Sequence, residues 1–202
     1  FLRLTGVSQM VSELTLVELE QLTYLSSEEK IVSFRRLIEW LKANPSKPKH
    51  AIHLKSDSQT ESGLKLIVRY WQEFDLYQDF FVFDLTKAAA ARLKTLDPKI
   101  KVAYIVSDFK FEPTINLWAE VEEDPNFDIV WAAEYRKLYS ADFVNAVKES
   151  GKDCYAMSPD VHVLLGHPLA LKGYEETWKN LMTWGVDGIC TDHPRELSLL
   201  AQ

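Results

Sequence analysis

The chain has 202 residues, 47% of them hydrophobic and 26% charged, enough for one sizeable core and ordinary for a globular domain. Its formal net charge of −7 argues against a nucleic-acid binder, whose footprint would be a basic face. Two cysteines give no disulfide framework and no zinc spacing, and no apolar run approaches the roughly 18 residues of a membrane helix.

Seven Gly and eight Pro leave little room for a flexible linker, so residues 1–202 read as a single domain. The first residue is Phe rather than Met and no signal peptide is visible. The natural N-terminus is therefore expected upstream, and the compartment stays undetermined, a cytoplasmic one being slightly favoured. Oligomeric state is not legible.

Residues 1–14 read as an irregular lead-in. Thr15-Leu-Val-Glu18 is a capping box opening a short helix over about Leu16–Leu22. Ile31, Phe34, Leu37, Ile38 and Leu41 share one face of a helix over Ile31–Leu41, stopped at Asn44-Pro45. Strands are then expected at His50–Lys55, Phe80–Leu85, Lys101–Val106, Phe127–Ala132, Asp153–Met157 and Val186–Cys190. Helices are expected between them near 60–74, 87–96, 113–122, 140–150 and 174–184. Gly185 should end the last of these, and Thr191 or Asp192 should cap a closing helix with Pro194 in its first turn. Cys154 and Cys190 both read as buried free thiols.

Six strands alternating with helices predict an α/β fold with a parallel sheet, either open and doubly wound or closed as a (β/α)8 TIM barrel. No GxGxxG or GxxxxGK[ST] loop is present, which favours the barrel. A barrel takes about 250 residues, so roughly the first two strands are expected to be missing from this chain.

A barrel builds its active site at the C-terminal strand ends, which here are polar: Lys55-Ser-Asp57, Asp84, Ser107-Asp108, Glu134, Ser158-Pro-Asp160 and Thr191-Asp192. Most such residues only cap the next helix. In His50-Ala-Ile-His-Leu-Lys-Ser-Asp57, alternation places His53, Lys55 and Asp57 on one side and Ile52 and Leu54 on the other. A lysine projecting into a barrel mouth needs an anion, and a phosphate or carboxylate would serve. The plainer alternative is a wet edge strand. Trp131, at the end of its strand, could line a substrate pocket. His162 and His167 lie in a loop that could reach the mouth, although a solvated loop histidine is commoner.

The string Gly185-Val-Asp-Gly-Ile-Cys-Thr-Asp-His-Pro194 resembles the C-terminal signature of the glycerophosphodiester phosphodiesterase family, a GVDGIITDYP-like last barrel strand. Leu2-Arg-Leu-Thr-Gly6 with Ser12-Glu-Leu-Thr-Leu-Val-Glu18 resembles the segment that follows that family's HD motif. Ile31-Val-Ser-Phe-Arg-Arg-Leu-Ile38 is similar to its "IPTLEEVL" helix, and His50-Ala-Ile-His-Leu-Lys55 to its "lnIEIK" strand.

The resemblance implies a TIM barrel that hydrolyses small glycerophosphodiesters to an alcohol and glycerol 3-phosphate. It also implies a divalent cation, Mg or Ca, held by carboxylates, and two histidines as general acid and base. None of the family histidines is present: the HRG and HD motifs and the carboxylates between them would precede Phe1. This chain is then the C-terminal three-quarters of the barrel, expected to be inert alone. Lys55 matches the family's phosphate-contacting lysine. His53 falls where the family places a metal-binding Glu, so metal binding differs, the site has drifted, or Asp57 substitutes. Tyr155-Ala-Met-Ser-Pro159 departs from the family's "vWTVN" string. Two alternatives remain: a non-catalytic barrel of the same ancestry binding a phosphorylated ligand, and a phosphatidylinositol-specific phospholipase-like phosphodiesterase. Asp187 and Asp192 read as structural or capping residues.

Overall fold

The computed structural model describes residues 2–44, 49–106, 118–133 and 140–201. It forms two compact units, Phe1–Pro48 and Lys49–Gln202.

The first unit has more regular structure at its start than the sequence suggests, with helical turns at Leu2–Thr5 and Val11–Glu13. The capping box forms as expected. Thr15 Oγ1 accepts from the Glu18 N–H, and the Glu18 carboxylate accepts from the Thr15 N–H at 2.7 Å. The helix it opens is only Leu16–Leu19. Helix α1, Phe34–Ala43, starts three residues later than periodicity suggests. Ile31 is used elsewhere, its N–H bonding to the Leu22 carbonyl at 3.0 Å beside the antiparallel bridge of Thr23 and Lys30.

The second unit is an α/β sheet. Strands β1 (His50–His53), β2 (Phe80–Phe83), β3 (Val102–Val106), β4 (Ile129–Ala133), β5 (Asp153–Met157) and β6 (Gly188–Cys190) pair in parallel and in sequential order. A doubly wound sheet reverses its order part-way, so this winding is the barrel kind. Helices α2 (Glu61–Phe74), α3 (Lys87–Leu96), α4 (Ala141–Glu149), α5 (Tyr174–Trp184) and α6 (Pro194–Leu200) follow their strands. Thr60, Thr86 and Ser140 cap α2, α3 and α4 with their hydroxyls, and Gly185 ends α5 at φ 81°. The helix expected near 113–122 lies mostly outside the described residues.

The sheet is curled, and ring contacts show it. Phe81 on β2 and Tyr155 on β5 have ring centroids 5.3 Å apart although β3 and β4 lie between them. Three strand spacings in a flat sheet would span about 14 Å. One face therefore closes on itself around Phe81, Ala103, Ile129 and Trp131, with Ala51, Phe83, Ile105, Tyr155 and Met157 packed against them. On the helical side, Leu64 and Trp71 of α2, Leu93 of α3, Val144 and Val147 of α4, and Trp178 and Leu181 of α5 are buried. Each such apolar side chain contributes about 1.5–3 kcal/mol.

Two ends of the strands differ in chemistry. At the N-terminal ends Lys101 pairs with Asp153 and Lys94 with Asp128, both at 2.7 Å. Lys152 Nζ donates to the carbonyls of Asp124 and Phe127 at 2.8 Å, and burial holds its pKa down. Asp187 accepts from the Cys154 N–H at 2.8 Å and returns its own N–H to the Cys154 carbonyl, the structural role expected of it. Because Asp187 and Val186 are engaged in these joints, β6 is shorter than the expected Val186–Cys190. Cys154 is buried, but Cys190 is exposed, against expectation. It is the last residue of β6, which among the described residues is paired only on the β5 side.

Candidate active site

The candidate site lies at the C-terminal ends of β1 and β2. β1 stops at His53, two residues short of the expected Lys55. Leu54 is still bonded to β2, its N–H reaching the Phe83 carbonyl at 3.2 Å, and its side chain is buried. Lys55 then caps a tight turn, Ser56–Ser58. The backbone is still extended at Lys55, and strand alternation breaks in the turn before it reaches Asp57. Of the three residues expected on one side, His53 lies within the strand and alternates with Ala51, whose side chain joins the enclosed face.

His53 is stacked on Phe83 at 4.5 Å and 27°, and Phe83 meets Trp131 at 4.5 Å. The result is a run of rings from the strand-end surface into the enclosed face. His53 Nε2 lies 2.5 Å from Asp84 Oδ2, the two side chains being 36% and 49% exposed. Asp84 holds φ 66°, a left-handed conformation unusual outside glycine and tolerated best by Asn and Asp. Gln59 braces it: its amide nitrogen donates to the Asp84 and Leu54 carbonyls at 2.7 and 2.8 Å, and its amide oxygen accepts from the Thr86 N–H at 3.0 Å. One side chain thus ties the turn after β1 to the turn after β2.

Lys55 is exposed, and its ammonium has no hydrogen-bond or ion-pair partner among the described residues, unlike Lys94 and Lys101 at the opposite strand ends. Asp57 is also exposed and accepts from the Ser56 hydroxyl at 3.3 Å; it is not brought to His53 by any bond. Trp131 sits in the middle of β4 rather than at its end, 5% exposed, and its indole N–H has no partner among the described residues. Ser107, Asp108 and Glu134 lie outside the described residues.

At β5 and β6 a second polar cluster is buried. Asp160 accepts from the Thr191 hydroxyl and the Asp192 N–H, each at 2.7 Å, and from the Ser158 hydroxyl. Ser158 in turn accepts from Trp178 Nε1 at 2.7 Å. Thr191 and Asp192 thus brace Asp160 and do not cap α6, whose cap position is His193. His162 and His167 are buried, 7% and 8% exposed, where sequence reasoning favours solvated loop residues. A run of 3-10 turns, Pro159–Leu165, folds them inward with ring centroids 6.3 Å apart. Burial, then His167, holds the His162 pKa down, and Asp160 opposes the shift.

Sequence reasoning missed Asp84 as the partner of His53. The available signal was an Asp directly after the apolar run Phe80–Phe83, a type that tolerates left-handed backbone at a sharp strand exit.

The model of the glycerophosphoryl diester phosphodiesterase family matches residues 1–196. The chain belongs to that family. Its members are phosphoric diester hydrolases, and phosphodiesterase activity is the function that membership carries. No curated protein matches the chain in sequence. Among solved structures, a phosphodiesterase from Oleispira antarctica, determined with the product sn-glycerol-3-phosphate, is 19% identical with a TM-score of 0.71. The alignment covers 100% of this chain and 76% of that one. A glycerophosphodiester phosphodiesterase from Galdieria sulphuraria is 17% identical, TM-score 0.70, over 96% of this chain and 73% of that one. A glycerophosphoryl diester phosphodiesterase from Silicibacter pomeroyi is 13% identical, TM-score 0.69, over 98% and 71%. These likenesses bear on the fold, a curled parallel sheet consistent with part of a barrel.

Family members generally depend on divalent cations. Mg or Ca takes six or more oxygen donors. Among the described residues no group of three or more His, Cys, Asp or Glu is placed to hold a metal. At the β1 and β2 ends the donors are one imidazole and one carboxylate, bonded to each other. This pair does not fit a hard cation. No helix of the described residues is long and apolar enough to cross a membrane.

Proposed function

We propose that the chain is the C-terminal three-quarters of a single barrel domain, short of roughly its first two strands, that hydrolyses glycerophosphodiesters to an alcohol and glycerol 3-phosphate. The observation that carries the reading is Lys55, an exposed cation with no partner among the described residues, at the C-terminal end of a sheet whose Lys94 and Lys101 are paired at the opposite end. Its ammonium would bind the phosphodiester anion, and His53 stands on the strand beside it. Trp131 and Phe83 would form the apolar wall against the substrate's carbon skeleton. Family membership and the product bound by the Oleispira relative support the substrate class.

A divalent cation, if bound, would supply charge that polarises the phosphoryl oxygens, and the described residues alone would not hold it. Asp57, exposed beside Lys55, remains a weaker candidate ligand. Residues 1–202 by themselves are expected to be inert, because the general acid and base histidines that the resemblance implies have no counterpart in this sequence. The test is release of glycerol 3-phosphate from glycerophosphocholine by the full-length protein, with and without divalent ions and after chelation. Turnover that chelation abolishes supports the proposal; no turnover with any divalent ion overturns it.

The His53–Asp84 bond favours a second reading, a non-catalytic barrel that binds a phosphorylated ligand. The same assay separates the two: glycerol 3-phosphate would bind, but no diester would be cleaved.

A further inference from the structure

We propose that Gln59 is a positioning residue for the reaction: its side-chain amide fixes the backbone that presents Lys55 to the phosphodiester. The inference deepens the Lys55 reading above and rests on it.

The backbone of Lys55 is held from both sides. Before it, Leu54 is buried, its N–H donates to the Phe83 carbonyl at 3.2 Å, and its carbonyl accepts from Gln59 Nε2 at 2.8 Å. After it, the Lys55 carbonyl accepts from the Ser58 N–H at 2.8 Å, closing the turn Ser56–Ser58. That turn rests on the start of α2, where a β-carbon added at Gly63 would collide with the Ser58 carbonyl oxygen. Only the side chain of Lys55 is left exposed and without a partner among the described residues.

The bonds of Gln59 call for an amide. Both donors of Nε2 meet carbonyls, those of Leu54 and Asp84, and Oε1 accepts from the Thr86 N–H. A carboxylate would set an oxygen against two carbonyls, and an apolar side chain would leave all three backbone groups without this partner. Helix capping does not require the arrangement, because the Thr60 and Thr86 hydroxyls already cap α2 and α3. The bonds instead lock the exit of β1 to the exit of β2, where Asp84 stands at φ 66°.

A lysine ammonium rides on a flexible four-carbon stem, so a fixed backbone decides where it can reach. Misplacing a group at the reacting centre by about 1 Å can cost about 100-fold in rate. The amide thus aims the cation before substrate arrives.

The experiment is a double-mutant cycle in the full-length protein. It is read by kcat and KM for glycerophosphocholine and by calorimetric binding of glycerol 3-phosphate, which needs no turnover. Gln59→Met keeps the length of the side chain without its bonds and should lower kcat/KM about tenfold. Gln59→Glu keeps the Thr86 bond, should be at least as slow, and carries the same cycle if Gln59→Met does not fold. Adding either change to Lys55→Ala should bring no further loss of rate or affinity, because the amide acts through the lysine. A merely structural amide would lower the unfolding midpoint and leave kcat/KM of the folded protein unchanged. Native kcat/KM in the Gln59 variants, or the same loss repeated in the Lys55→Ala background, would overturn the proposal. A slow Lys55→Ala beside native Gln59 variants removes this inference alone, whereas a native Lys55→Ala removes the Lys55 reading and the inference with it.

Discussion

Tyr155 lies directly over the α-carbon of Gly188. A β-carbon added at Gly188 would collide with ring atoms Cδ1 and Cε1 of Tyr155, its register partner on the neighbouring strand. The ring cannot simply swing away, because Phe81 packs against it at 5.3 Å in the enclosed face. Burial has already pushed the Tyr155 phenol up to about 12, so the group stays neutral there. Gly188→Ala should therefore cost about 1–3 kcal/mol through overpacking. Urea unfolding of the full-length protein measures it. Tyr155→Phe, which keeps the ring, should not relieve the cost, whereas Tyr155→Val should relieve part of it. A neutral Gly188→Ala would mean that β6 can move away from β5.

Asp160 supports a second prediction. Its carboxylate is 1% exposed and collects the Ser158 and Thr191 hydroxyls and the Asp192 N–H. Removing it leaves buried donors without partners at the joint of β5 and β6. Asp160→Ala should destabilise by about 3 kcal/mol, since each orphaned group costs about 1–3 kcal/mol. Thr191→Val removes one donor and should cost less, about 1 kcal/mol. Equal unfolding midpoints for Asp160→Ala and the native protein would show that the network is not structural.

Much of the fold was legible because its signals are local. Thr60, Thr86 and Ser140 announce their helices by hydroxyl capping, Gly185 ends α5, and β5 and α5 appear with the expected bounds. Asp57 leaves the expected alternation because period-2 spacing has no term for the turn Ser56–Ser58. Asp84 was not linked to His53 because the two are 31 residues apart, and only parallel pairing of β1 with β2 brings them together. Thr191 looked like a helix cap because its real target, Asp160, sits on another loop. His162 and His167 looked solvated because nothing local marks a segment that folds inward.

His162 gives a pH prediction. Its pKa is held below the ordinary histidine value by burial and by His167, with Asp160 opposing. The unfolded chain then binds a proton more readily than the folded one. This contribution to stability is fully present above the unfolded histidine pKa, about 6.5, and is lost as pH falls from there towards the folded value. Thermal unfolding of the full-length protein should show Tm falling between pH 7.5 and 5.5. His162→Phe should flatten that slope relative to the native protein. An identical slope in the variant would assign the effect to other groups.

Lys55 carries the functional reading, and its prediction separates binding from folding. Its side chain is exposed and bonded to nothing among the described residues, so Lys55→Ala should leave the unfolding midpoint within about 0.5 kcal/mol of the native value. The same substitution should lower turnover of glycerophosphocholine by the full-length protein at least tenfold, about 1.4 kcal/mol of lost transition-state stabilisation. Arg in its place keeps the charge but presents a planar fork in place of a compact ammonium, so Lys55→Arg should recover only part of the rate. If the lysine acts on the phosphoryl group as charge builds, the loss falls on kcat; if it only gathers the anion, KM rises alone. Unchanged kinetics in Lys55→Ala would take the β1 end out of the site.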